Sequence, residues 1–276
     1  MTEQRGRGWG RVAAVCVVAA WVAAALADGN PAVDVRVLEN TADRIVVQYQ
    51  FNEFIFSPVD VQGTPYVHVV IPHAAQLQAA GSPAVPLVVR SLALPEGTDV
   101  TVRVLDSRYT DSENVRLISS KGVLPRTLDP ERVPYTFGPA YQVDGFFPGQ
   151  LTESFAPYVL RDVQGVAVAV YPVQFNPATG TLRQYSSLTI EAVPHVVRDA
   201  LPTGIRADRA LSRAFYDLYK LHFINYDLDQ RYAPLDETGS MLVIGYDAWL
   251  SNVGPLVAHK NAIGINTTAV GVATLG

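Results

Sequence analysis

Between Val33 and Val193 apolar residues recur at every second position, and that period leaves few folds open. Val33, Val35 and Val37 alternate with Asp34 and Arg36, and Ile45, Val47, Tyr49 and Phe51 with Val46, Gln48 and Gln50. Val100, Val102 and Val104 are spaced by Thr101 and Arg103, and Leu188, Ile190 and Ala192 by Thr189 and Glu191. Successive strand residues point to opposite faces, so each of these stretches reads as a strand with one face buried. Tyr66 to Ile71, Val85 to Leu94 and Val166 to Phe175 are apolar on both faces, as strands in the middle of a two-layered fold would be. Pro72, Pro83, Pro86, Pro95, Pro125, Pro130, Pro134, Pro139 and Pro148 punctuate the rest, and proline cannot sit inside a central ladder. Asn176-Pro177-Ala178-Thr179-Gly180 reads as a hairpin connection, with glycine where φ turns positive. No helical period appears before residue 205. The expected fold is mainly β, an antiparallel β-sandwich over residues 28–200.

The segment in front of this domain is of another kind. Arg5, Arg7 and Arg11 form a basic start, Val12 to Leu26 carries no charge, and the stretch closes on Ala25-Leu26-Ala27 before Asp28-Gly29-Asn30-Pro31. A basic region, an apolar region and small residues at the end make a secretory signal peptide, residues 1–27, with cleavage expected between Ala27 and Asp28. About 15 apolar residues fall short of the roughly 20 needed to span a bilayer, which argues against a membrane anchor. The expected location is secreted or cell envelope, with no membrane association once the signal is gone. The leader takes with it Cys16, the only cysteine, so the mature chain has no disulfide, no thiolate nucleophile and no cysteine metal site. The net charge of −5 becomes more negative when three leader arginines leave, and no basic cluster remains to grip nucleic acid.

After Pro194 the pattern changes. Arg206 to His222 places Leu211, Ala214, Phe215, Leu218 and Leu221 at helical spacing, and Asp227 to Gly239 reads as loop. Residues 201–239 are therefore expected to be a linker carrying a short amphipathic helix. Met241-Leu-Val-Ile-Gly245 is a short apolar strand, Trp249 to Ala262 a helix ended by Gly264, and a second strand starts near Thr268. Strand, helix, strand opens a parallel α/β unit over 240–276. So short a piece cannot cover both faces of its sheet, so this unit is expected to be cut short.

Motifs that carry chemistry are scarce. There is no Gly-x-Ser-x-Gly elbow, Walker loop, Rossmann glycine triplet or His-Glu-x-x-His. His68 and His73 lie close in sequence, but Pro72 separates them, and ordinary surface positions are the simpler reading than a metal site. Asp106, Asp111 and Glu113 fall in an expected loop whose spacing fits no EF-hand, so solvated acids outweigh a Ca²⁺ site. No catalytic residue, metal or cofactor is assigned. Arg198, Arg206, Arg209 and Arg213 crowd the linker, where a polar helix face competes with a maturation site open to proteases.

Taken in order, several stretches resemble the propeptide of gingipain-type (C25) cysteine peptidases. They are Gly81-Ser-Pro-Ala-Val-Pro86, Leu92-Ala-Leu-Pro95-Glu-Gly97, Tyr141, Phe147-Pro148-Gly149, Tyr158-Val-Leu-Arg161 and Val170-Tyr-Pro172-Val-Gln-Phe175-Asn-Pro177-Ala-Thr-Gly180. Phe223-Ile-Asn-Tyr226 resembles the segment that ends such a pro-region. Met241 to Gly245, Asp247, Pro255-Leu256-Val257, Lys260 and Gly264 resemble the first strand and helix of the catalytic domain. The resemblance implies a pro-region that aids folding and enforces latency, whose partner is the peptidase domain in cis. It also implies a His and Cys pair deep in that domain, beyond the last residue here, so this chain alone is expected to hydrolyse no peptide. If the enzyme prefers arginine, Arg126 or Arg132, in the Pro-rich stretch from Pro125 to Pro139, is a candidate for its specificity pocket, against the plainer reading that both only solvate an exposed loop. Arg206, Arg209 and Arg213 of the linker are candidate processing positions. The competing class is a secreted binding or adhesion module on an unrelated domain. A sugar-binding face needs exposed aromatics, yet no Trp occurs between residues 28 and 240.

Overall fold

The computed structural model describes residues 32–197, 212–226 and 239–274. In chain order the strands are β1 (Val33–Asn40), β2 (Ile45–Phe51), β3 (Ile55–Val61), β4 (Thr64–Val70), β5 (Ala75–Gln76), β6 (Pro86–Leu94) and β7 (Thr98–Ser112). They continue with β8 (Thr152–Ser154), β9 (Tyr158–Leu160), β10 (Val163–Val170), β11 (Val173–Asn176) and β12 (Thr181–Val196), followed by helix α1 (Arg213–His222). Strand β13 (Ser240–Gly245), helix α2 (Gly254–Ala262) and strand β14 (Asn266–Gly271) close the described chain. The protein is mainly β, and every strand pair before residue 200 is antiparallel.

One five-stranded sheet is built on β12, which pairs with β7 along one edge and with β2 and β11 along the other, while β1 extends it beyond β2. The other sheet runs β5-β6-β10-β8, with β9 also on β10. Their inward residues meet in one cluster: Ile45, Val47, Tyr49, Leu188 and Ile190 from the first sheet against Val88, Leu92, Val166, Val168 and Val170 from the second. Burying each such side chain contributes about 1.5–3 kcal/mol, and the period-2 alternation puts all of them on the same side.

The run Val166 to Phe175, apolar but for Gln174, is two strands in two different sheets. Pro172 breaks the ladder after β10, and β11 enters the β12 sheet. Strand β10 is buried on both faces, because Ala169 and Tyr171 join Val69, Val85, Leu117 and Phe175 in a second cluster. Tyr66 to Ile71 needs a correction of the opposite kind. Strand β4 makes its ladder with β3, across a turn in which Gln62 and Gly63 have φ of 53° and 80°. On its other side only an isolated parallel bridge joins Val67 to Leu117 among the described residues, and its side chains are mostly half-buried. Positive φ at both central positions of a two-residue turn suits strand twist, and Gly63 N donates to Asp60 Oδ1 at 2.9 Å. Asp106 and Asp111 lie on β7 rather than in a loop.

Helix α1 does not dock through its leucines. Leu218 and Leu221 are 41% and 86% exposed, whereas Tyr219 is fully buried. In the last piece β13 and β14 pair in parallel from Ser240↔Asn266 to Gly245↔Gly271, with α2 between them in sequence, as the strand–helix–strand pattern implies.

Candidate functional site

Two features outside the core are organised enough to act on a partner: the long connection from β7 to β8, and the segment Ser212–Tyr226.

The connection between β7 and β8 carries no regular strand, only short turns of 3-10 helix at Pro130–Arg132 and Pro139–Gln142. Proline forbids a ladder here, so the chain is held by individual bonds at its roots. Gly81 N donates to Ser120 O at 2.9 Å, Gly138 N to Gly81 O at 2.8 Å, and Tyr141 OH to Leu117 O at 2.9 Å. The Phe137 ring lies 5.0 Å from Tyr66 and 4.9 Å from Tyr141. Lys121 Nζ donates to Pro130 O at 2.7 Å and stands 4.1 Å over the Tyr135 ring. Between these anchors a tip is left in solvent. Leu128 N closes a turn onto Pro125 O at 2.9 Å, which puts Arg126 at its second position, exposed and with no bonded partner among the described residues. Val123 and Leu128 beside it are exposed apolar side chains. Arg132 is 87% exposed and 3.6 Å from the Asp129 carboxylate, an exposed ion pair that restrains it little. One exposed stretch thus presents both arginines.

Segment Ser212–Tyr226 lies against β6, β9 and β10. Phe223 forms a parallel bridge with Ser91, and Ile224 N donates to Ser91 O at 3.1 Å. Asn225 continues the pairing with its side chain: Ala93 N donates to Asn225 Oδ1 at 2.7 Å, and Asn225 Nδ2 donates to Ala93 O at 2.9 Å and to Asn40 Oδ1 at 3.1 Å. Asn40 Nδ2 returns a bond to Asn225 O at 2.9 Å. The Phe223 ring fills the space over Gly165, where any Cβ would overlap it, and stacks on Tyr158 at 6.3 Å. Tyr158 OH lies 2.7 Å from Ser91 Oγ and 2.6 Å from His222 Nε2. The β9–β10 turn grips α1. Arg161, at φ 57°, sets its guanidinium 3.8 Å over the Phe215 ring, and Asp162 Oδ1 accepts a hydrogen bond from the Tyr219 hydroxyl. Burial and the neighbouring Asp162 carboxylate push the Tyr219 phenol well above its usual range, and Tyr226 is pushed up to about 12. Residues 212–226, which fall within the stretch read as a linker, are docked on the β domain as a strap.

Of the candidate processing arginines, Arg213 is exposed on the first turn of α1, whereas Arg206 and Arg209 lie outside the described residues, as do Ala27 and Asp28. Asp111 is engaged by Arg183 through two bonds of 2.8 Å, which hold its carboxyl below the usual range, and Glu113 accepts from Thr181 Oγ1 at 2.9 Å. Burial lowers the pKa of His68. Among the described residues no three His, Cys, Asp or Glu side chains gather to hold a metal ion. The sequence reasoning missed the strap's contacts, for which only the Phe223-Ile-Asn-Tyr226 resemblance gave a signal.

The β domain thus carries a rooted surface loop and a docked strap, and is followed in sequence by the opening of a second fold. A family model of C25 peptidase propeptides matches residues 24–227, and the chain belongs to that family. Gingipain R1 of Porphyromonas gingivalis is 33% identical over 244 residues, covering 86% of this chain and 24% of that protein. Gingipain R2 of the same species is 33% identical over 242 residues, 86% of this chain and 32% of the relative. The chain thus spans a third or less of the length of these relatives. A solved structure of the complex of Porphyromonas gingivalis RgpB pro- and mature domains matches with a TM-score of 0.63 at 30% identity, over 72% of this chain and 100% of the matched one. A structure addressing zymogenic latency of gingipain K from the same organism matches with a TM-score of 0.52 at 25% identity, over 61% and 96%.

Proposed function

We propose that residues 28 to about 200, with the strap behind them, are the pro-region of an exported gingipain-like cysteine endopeptidase. In this role it assists folding of the peptidase domain next in the chain and keeps it inactive until the connection is cut. The observation that carries this reading is the likeness to the whole of a chain from a complex of pro- and mature domains. The three-part leader ending at Ala27 supports export, with the mature chain starting at Asp28. Arg126 and Arg132 form the contact with the enzyme. An exposed turn fixed at both roots offers an arginine to a specificity pocket while resisting the movement that cleavage requires, so it binds as a slow substrate mimic. Cleavage at Arg206, Arg209 or Arg213 begins processing. Tethering sets an effective concentration near millimolar, so even micromolar affinity keeps the enzyme closed.

The test is a titration of the active peptidase of the full-length precursor with the purified pro-region. The expected outcome is inhibition at or below tens of micromolar, weakened by Arg126→Ala or Arg132→Ala. Absence of inhibition by the wild type rejects the inhibitor role, and inhibition indifferent to both substitutions rejects only the arginines' part in it.

A further inference from the structure

Segment 212–226 is joined to the β domain by a set of contacts more specific than a connection needs. Its extended end adds to the β6 edge at Ser91 and Ala93. One carboxamide, that of Asn225, supplies both an acceptor for Ala93 N and a donor for Ala93 O. The absence of a Cβ at Gly165 shapes a slot that the Phe223 ring fills, and Arg161 and Asp162 hold two further aromatic side chains, Phe215 and Tyr219. Tyr219 and Phe223 are fully buried and Asn225 nearly so. This is how a sheet edge recognises a separate peptide: main-chain bonds give affinity, and pockets for alternate side chains give selectivity.

We propose that the β6 edge, the β9–β10 turn and Asn40 form a peptide-binding groove whose ligand is the segment Ser212–Tyr226. The ligand class is a short helix with an aromatic face, ended by an extended aromatic–aliphatic–carboxamide triplet. The groove keeps this segment, and whatever is joined behind it, after the chain is cut between Val197 and Ser212. Candidate processing residues Arg206 and Arg209 precede the strap in sequence, so a cut there leaves the two pieces together. The regulatory consequence, that such a cut does not by itself free the domain behind the strap, rests on the pro-region reading; the groove does not.

The experiment uses the chain from residue 28 to 276 with a site-specific protease sequence replacing residues 201–206. After folding, the protein is cut and passed over a sizing column at about 10 µM, a concentration at which a micromolar non-covalent pair stays largely associated. Co-elution of the two fragments, with separation only in denaturant, is expected. Asn225→Asp replaces the donor to Ala93 O with a charged acceptor, and is expected to weaken retention about tenfold or more. Leu221→Ala, at an exposed position of the same helix, leaves it unchanged. Should Asn225→Asp not fold before cutting, Phe215→Ala removes the Arg161 stacking instead and is expected to weaken retention in the same direction. Separation of the wild-type fragments overturns the proposal. So does retention that ignores both Asn225→Asp and Phe215→Ala, because the holding would then belong to other contacts. Neither outcome depends on peptidase activity, so failure of the groove and failure of the inhibitor reading are distinguishable.

Discussion

Gly165 matters for what it lacks. It sits on β10 opposite Ala93, and the Phe223 ring occupies the space a side chain would need. Gly165→Ala therefore overpacks the slot, which typically costs about 1–3 kcal/mol, whereas Phe223→Ala empties it at about 3–5 kcal/mol. The two are not independent. In the double variant the added methyl group takes part of the vacated volume, so the combined loss in urea unfolding is expected to fall below the sum of the single losses. Additive losses would show that the ring and the glycine do not share one space. None of this was legible in the sequence, where an isolated glycine in a strand signals only a weak or closely approached position. Asn225 was equally silent, since nothing in a single sequence says that a side-chain amide will stand in for a backbone pair.

At the scale of elements, β12 holds its sheet together, and its outward face carries a charge cluster. Glu191 is buried between Arg44, just before β2, and Arg103 on β7, and accepts hydrogen bonds from both. Those bonds hold its carboxyl below the usual range, the bond from Arg103 contributing most. Because the folded state favours the ionised form, the stabilisation is present above the unfolded-chain value of about 4.3 and is lost as pH falls through the lower folded value. Glu191→Gln is expected to destabilise the domain at pH 7 and to flatten the acid limb, as read from urea midpoints across pH. An acid limb unchanged in the variant would assign acid sensitivity to other carboxylates. Strands β1, β2, β7 and β12 were readable because one face is core and the other solvent or polar, so the alternation shows. Strand β10 was readable as a doubly buried strand, but not its end at Pro172, since both faces are covered and an apolar run without period does not mark where one strand stops. The leucines of α1 misled for the complementary reason: the helix docks through tyrosine and phenylalanine, which bring hydroxyl and π contacts that a hydrophobic count does not weigh.

For the whole molecule, the contacts of the β domain run on to Tyr226 through the strap. A chain ending at Val197 lacks the strap, exposes the Gly165 slot and leaves the β6 edge open. It is expected to melt roughly 10 °C below one ending at Tyr226, from the loss of two buried aromatic anchors, by calorimetry or circular dichroism. Equal melting temperatures would make the strap a passenger. The general plan was readable, a mainly β antiparallel domain and then a strand–helix–strand opening, because both patterns come from side-chain period alone. Where the domain ends was not, because that is set by contacts between distant positions. Asn40, at the close of the first strand, is bonded to Asn225, 185 positions later. A chain that emerges from its N-terminus has made its first strand long before the residue that fastens it arrives. The last clasp can close only when almost the whole pro-region is out, and the next segment to emerge is the start of the second fold. Chain order thereby acts as a clock, in which completion of the first domain coincides with the appearance of the one behind it.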